Sequence, residues 1–151
     1  MITLIDYGVG NINAFVNVYK RVDVPVKIAK TKEDLIGAEK LILPGVGHFD
    51  HAMTQLNNSG MRDTLDKLVL VDKIPVIGIC VGMQMMANSS DEGSMEGLKW
   101  IDASVRKFDE TKIKQVTRLP HMGWNDVKPV KDLPLFNGLK QDAIFYFLHT
   151  Y

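Results

Sequence analysis

Four short apolar runs mark the first half of the chain. Between them lie longer stretches with apolar residues every three or four positions. "ITLID", "PVKIA", "KLILPG" and "IPVIGI" each read as a buried strand, the third stopped by Pro44. After Gly8 and Gly10, the residues Ile12, Phe15, Val16, Tyr19 and Val22 fall near a helical period. "TKEDLIGA" predicts a second helix, with Thr31 as N-cap and acidic residues in the first turn. Residues 48–58 and 60–71 predict two more helices, parted near Gly60, and Val81 to Asn88 a short buried one rich in Met.

This β-α-β-α-β-α-β order predicts an α/β fold: a doubly wound, mostly parallel sheet with helices on both faces. The near-continuous apolar character of the strands suits coverage on both sides. Beyond Gly97 the pattern turns to strand-like alternation in "WIDASVRKF", "KQVTRL", "WNDVKPV" and "AIFYFLHTY". That predicts an antiparallel extension at the sheet edge. Without repeats, low-complexity tracts or linkers, residues 1–151 read as one domain. The sequence closes on "FYFLHTY" in mid-strand pattern, so that domain is expected to be incomplete at its C-terminus.

Composition narrows the partners. The 151 residues are 46% hydrophobic and 24% charged, as in an ordinary globular protein. Eighteen basic and eighteen acidic residues cancel, which argues against nucleic acid or an acidic membrane as partner. The N-terminus lacks signal-peptide features, and no apolar run approaches the roughly 18 residues of a membrane span. A single cysteine cannot form an internal disulfide, and a reducing, cytoplasmic setting is expected.

That cysteine stands in Gly78-Ile79-Cys80-Val81-Gly82, the G-x-(nucleophile)-x-G form of a nucleophile elbow. In such an elbow a strand turns sharply into a helix, and glycines on either side let neighbouring elements approach. The helix N-terminus favours the thiolate, and the next N–H, on Val81, is placed to hold an oxyanion. The plainer reading, a small buried hydrophobe at a strand end, is outweighed by the paired glycines and the strand-to-helix switch.

"GICVGMQ" resembles the nucleophile segment of the class I (triad-type) glutamine amidotransferases, and "LPGVGHF" their oxyanion strand. "DYGVGN", "LPHMGWN" and "YFLHTY" narrow the resemblance to glutaminase subunits of imidazole glycerol phosphate synthases. The resemblance spans the chain and implies a flavodoxin-like sheet. It also implies hydrolysis of L-glutamine to glutamate and ammonia through a thioester on Cys80. It places the oxyanion between the Val81 N–H and a peptide N–H within Gly45-Val46-Gly47. Gln84, one turn after Cys80, would reach the substrate, and Glu92 with the backbone of Thr150 and Tyr151 would hold its amino-acid end. The implied partner is a (β/α)₈-barrel synthase subunit that receives the ammonia and makes imidazole glycerol phosphate in histidine biosynthesis. Gly8, Gly10, Asn11, Met122, Trp124 and Asn125 would lie at that interface, although Trp124 also reads as half-buried in the edge sheet. The turn before Asn11 is a weak phosphate-site candidate as well. No cofactor is implied and no metal site is expected. His48 and His51 read as surface residues, and Met83, Met85 and Met86 as core filling.

One element of the pattern is missing. The family's base is a histidine in a His-Pro-Glu segment, and none of His48, His51, His121 and His149 is followed by Pro-Glu. Three explanations stand: a fragment of a longer protein, a docking module without catalysis, or a base recruited from elsewhere or from a partner. The acceptor is open too, since related glutaminases feed nucleotide-sugar amidotransferases of surface-polysaccharide synthesis.

Overall fold

The structure, a computed structural model, describes residues 1–113, 118–131, 133–139 and 143–151. Its order begins β1 (Ile2–Ile5), α1 (Ile12–Arg21), β2 (Val26–Ala29) and β3 (Lys40–Gly45). It continues with α2 (Phe49–Asn58), α3 (Arg62–Asp66), β4 (Val76–Cys80) and α4 (Val81–Met85). The short strands β5 (Ser89–Ser90) and β6 (Ser104–Val105) follow, then β7 (His121–Asp126) and β8 (Ile144–His149). The chain divides into two compact units, Met1–Lys107 with Tyr151, and Phe108–Thr150.

In the first unit β1 to β4 form a parallel sheet in the order β2-β1-β3-β4. Alternation along each strand separates two cores. Ile5, Leu41 and Leu43 join Phe49, Ala52, Met53, Leu56, Leu65 and Met85 from the α2 to α4 side. Leu4 and Ile42 face the other way, onto Ile12, Phe15, Val16 and Tyr19 of α1. These four α1 residues are spaced by three, four and seven, which lines them along one stripe. Asn11 caps that helix, its side chain accepting from the Ala14 N–H.

Coverage on both faces holds for β1 and β3 but not for β4. Ile77 pairs with Ile42 and so shares the α1 face, yet Ile77 and Ile79 remain 43% and 36% exposed. The helix α1 lies over β1 and β3 and leaves this edge strand open.

Four local expectations are corrected. "TKEDLIGA" forms turns rather than a helix, with three-residue bonds such as Leu35 N–H to Lys32 C=O. Thr31 Oγ1 accepts from the Asp34 N–H while the Asp34 carboxylate takes the N–H groups of Lys30 and Thr31, so the expected N-cap forms, but only three-residue bonds follow it before Gly37 turns the chain at φ +76°. Pro44 does not stop β3, which runs on to Gly45 beside β4. Leu41 donates toward the β4 side, so Pro44, three residues on, turns its missing donor toward β1, where pairing has ended at Ile42. The helix after α2 leaves α-geometry at Lys67–Val71, a wider π-type turn. Finally, α4 ends at Met85, short of Asn88.

The antiparallel extension is also different in kind. β7 and β8 pair antiparallel as a two-stranded sheet of their own, and among the described residues neither pairs with a strand of the central sheet. Within "WIDASVRKF" only Ser104–Val105 is strand, and it pairs parallel with Ser89–Ser90. The first four residues of "KQVTRL" lie outside the described residues.

Candidate active site

Cys80 stands where β4 ends and α4 begins, with φ 54° and ψ −124°. A non-glycine residue in that region carries strain of about 1–3 kcal/mol, held by its surroundings. Those surroundings are tight backbone contacts. A Cβ on Gly82 would stand 2.0 Å from the Leu43 carbonyl oxygen, and one on Gly78 2.4 Å from the Met83 Cα. The two glycines therefore let β3 and α4 close on the turn. The thiol is exposed rather than buried, which sets aside the reading of Cys80 as core filling. Since α4 has only five residues, the dipole at its N-terminus is small.

The register places Gly45 directly opposite Cys80 across β3 and β4. A Cβ on Gly45 would meet the Gly82 nitrogen at 2.3 Å, so the start of the Gly45-Val46-Gly47 loop presses on the elbow. Beyond it the loop opens: Val46 is exposed, and Gly47 takes φ +84° with nothing within 4 Å of a Cβ. Gly47 is thus needed for its backbone angle and Gly45 for its missing side chain.

Tyr7, which sequence reasoning passed over, anchors this loop from below. Its hydroxyl donates to the Pro44 carbonyl at 2.7 Å and lies 3.4 Å from the Met85 sulfur. Burial pushes its pKa upward, so it remains a neutral donor. The "DY" dipeptide before the glycine turn was the available signal, but an aromatic residue after a strand rarely declares a partner 37 positions away.

The remaining candidates divide between the units. Gln84 is buried, and its side-chain amide lies 3.5 Å from the Tyr151 carbonyl, at the limit of a hydrogen bond. The Glu92 carboxylate accepts from the Phe49 N–H at 2.8 Å, capping α2. Met85 and Met86 fill the core as expected, but Met83 is 57% exposed. His48 and His51 are exposed, and His48 Nδ1 accepts from the Asp50 N–H. Among the described residues no group of three metal-ligating side chains occurs. Gly8 and Gly10 take φ +90° and +104° in the turn that Asn11 closes.

In the second unit, Thr150 accepts from the Phe108 N–H. The β7–β8 register sorts its side chains onto two faces. Met122 pairs with Leu148, Trp124 with Tyr146 and Asp126 with Ile144. The apolar members of that face are all more than half exposed, with Trp124 at 71%, so the half-buried reading of Trp124 is overturned. Asn125 projects to the opposite face, where its amide meets His121 Nε2 at 3.2 Å. There His121 Nδ1 faces His149 Nε2 at 3.0 Å, with the Phe147 ring of β8 5.7 Å from that of His121. Asn125 is therefore not part of the Trp124 surface, while Ile144, Tyr146 and Leu148 are, and only the pairing register could reveal that.

An α/β sheet in the order 2-1-3-4, carrying a strained thiol at the end of β4 beside a glycine loop, defines a nucleophile-elbow protein of the amidotransferase type. The family model of class-I glutamine amidotransferases matches residues 3–151, and the chain belongs to that family. Among curated proteins it is similar to "Imidazole glycerol phosphate synthase subunit HisH" of Bdellovibrio bacteriovorus, at 59% identity over the whole chain and 74% of the relative. The protein of that name from Leptospira borgpetersenii is 47% identical over the same share, and that from Methanocaldococcus jannaschii 43%, with 73% of its length covered. A crystal structure of a glutamine amidotransferase superposes with a TM-score of 0.63 over 83% of this chain and 62% of that one. At 19% identity that likeness speaks for the fold alone.

Proposed function

We propose that this chain is the glutaminase component of an imidazole glycerol phosphate synthase of histidine biosynthesis. The carrying observation is the exposed, strained Cys80 opposite Gly45, in a chain 59% identical along its full length to a protein of that name. The Cys80 thiolate attacks the side-chain carbonyl carbon of L-glutamine, and its charge collects on the carbonyl oxygen. The Val81 N–H and a peptide N–H of Gly45-Val46-Gly47 receive that charge, and collapse expels ammonia and leaves a thioester. Water opens the thioester, releasing glutamate and restoring the thiol. Gln84, Glu92, Thr150 and Tyr151 hold the substrate in this reading.

The general base comes from outside residues 1–151. The alignments cover about three quarters of each relative, and a His-Pro-Glu segment in a continuation of the domain is the proposed source. The partner is a (β/α)₈-barrel subunit in a cytoplasmic heterodimer, to which the ammonia is channelled. The apolar face of Met122, Trp124, Ile144, Tyr146 and Leu148 supports a docking role, because a cluster so exposed suits an interface.

The test is Cys80→Ala in the full-length protein with its partner. Glutamine-dependent synthesis should fall by about 10³-fold or more, with ammonia-dependent synthesis intact. Loss of both would make Cys80 structural. Glutamine-dependent synthesis absent from wild type and variant alike would leave a docking module as the remaining role.

A further inference from the structure

Asp50 has no part in the readings above, yet its carboxylate joins two segments 44 residues apart. One oxygen, Oδ2, accepts from the Ser94 N–H at 2.9 Å and from the Ser94 hydroxyl at 3.3 Å. The other, Oδ1, accepts from the Met95 N–H at 3.0 Å. Gly93 permits this approach, since a Cβ there would stand 1.9 Å from Oδ1. The adjoining bond runs in the opposite direction, from the Phe49 N–H to Glu92 Oε2. Thr54 adds a hydroxyl that donates to the Asp50 carbonyl and lies 3.2 Å from the Met95 sulfur.

The consequence is positional. Residues 49–50 follow Gly45-Val46-Gly47 after a single residue, and Glu92 closely precedes the segment that Asp50 grips. Charge-assisted bonds to two successive backbone N–H groups fix a loop more firmly than neutral ones, because a carboxylate is a stronger acceptor. Without them, segment 92–95 would be held to α2 chiefly by the side chain of Glu92, the group assigned to the substrate.

We propose that Asp50 is a positioning residue of the glutaminase: by clasping Ser94 and Met95 to the first turn of α2, it sets where Glu92 stands beside the Gly45–Gly47 loop. It thereby sets how tightly the amino-acid end of glutamine is held. This rests on the glutaminase reading of the site. The Asp50 carboxylate is engaged by Ser94 and Met95, so in this proposal its effect falls on binding and not on the intrinsic reactivity of Cys80.

The experiment follows alkylation of Cys80 by iodoacetamide in the full-length protein as L-glutamine is added. Asp50→Ala should raise the half-protecting glutamine concentration about tenfold, and the rate without glutamine should stay within about twofold of wild type. Gly93→Ala should do the same, because its Cβ prises the clasp open without altering Asp50. The double variant should be no worse than either single one, since loss of the carboxylate at position 50 leaves room for the added methyl group at position 93. Protection of Asp50→Ala at wild-type glutamine concentrations would overturn the proposal. So would additive losses that also change the unprotected rate, the signature of a general folding defect. A wild-type protein that glutamine fails to protect would overturn the glutaminase reading and this inference with it, which is a separable outcome.

Discussion

The sheet unit and the β7–β8 hairpin use the same kinds of residue to opposite ends. Around β1 and β3, Phe49, Leu43 and Met53 have no exposed surface. On the hairpin, Trp124 and Met122 have most of theirs open, at 71% and 61%. A parallel sheet buries its strands between helices on two sides, whereas a two-stranded antiparallel ribbon has no second layer of its own. Apolar residues therefore stabilise the first unit and leave the second with an exposed apolar face. In the proposed reading, the difference separates what holds the nucleophile from what meets another protein.

The comparison breaks most sharply at Phe49. Phe49→Ala should cost about 3–5 kcal/mol, read as a lower urea midpoint, because it opens a cavity in the main core. Gly82→Ala comes next. Its Cβ has no room beside the Leu43 carbonyl, so a loss of about 1–3 kcal/mol is expected. The strained φ of Cys80 should relax at the same time, so activity should fall further than stability does. Tyr7→Phe should cost about 1 kcal/mol, since it removes one buried bond and leaves the Pro44 carbonyl unsatisfied. Trp124→Ala should lie within about 1 kcal/mol of wild type in the isolated chain, its edge contact with Tyr146 being the main loss. The same change should weaken a partner complex by about 2 kcal/mol or more, measurable by calorimetry. If Trp124→Ala instead unfolded the protein as Phe49→Ala does, the contrast between the two regions would be wrong.

Acid provides the mildest probe. The Ser94 and Met95 backbone N–H groups hold the Asp50 carboxyl below its ordinary range. A depressed folded pKa means the contribution is complete above the ordinary carboxylate range and is lost as pH falls through the folded value. Asp50→Asn should therefore remove part of the pH dependence of stability below about pH 4 and leave the slope near neutrality unchanged. An unaltered acid limb, followed by thermal melting, would show that the clasp does not couple to folding.

Much of the first unit was legible in the chain because its signals are local. The apolar runs located all four central strands, the 3-4-7 spacing located α1, and the glycines around Cys80 announced the elbow. Where a start signal was not followed by a full helix, the reading failed. At Thr31 to Ala38 the capping bonds between Thr31 and Asp34 formed, but only three-residue turns followed them.

The sequence by itself determined the order of the four central strands, the position of the thiol and the glycines that let backbone close around it, since each depends on neighbours a few residues apart. Only the tertiary structure decided that Tyr7 would buttress Pro44, that Asp50 would grip Ser94 and Met95, and that Asn125 would face away from Trp124. Those outcomes depend on strand register and on contacts across 37 to 45 residues, and hydrophobic periodicity carries no information about which distant polar group will meet which.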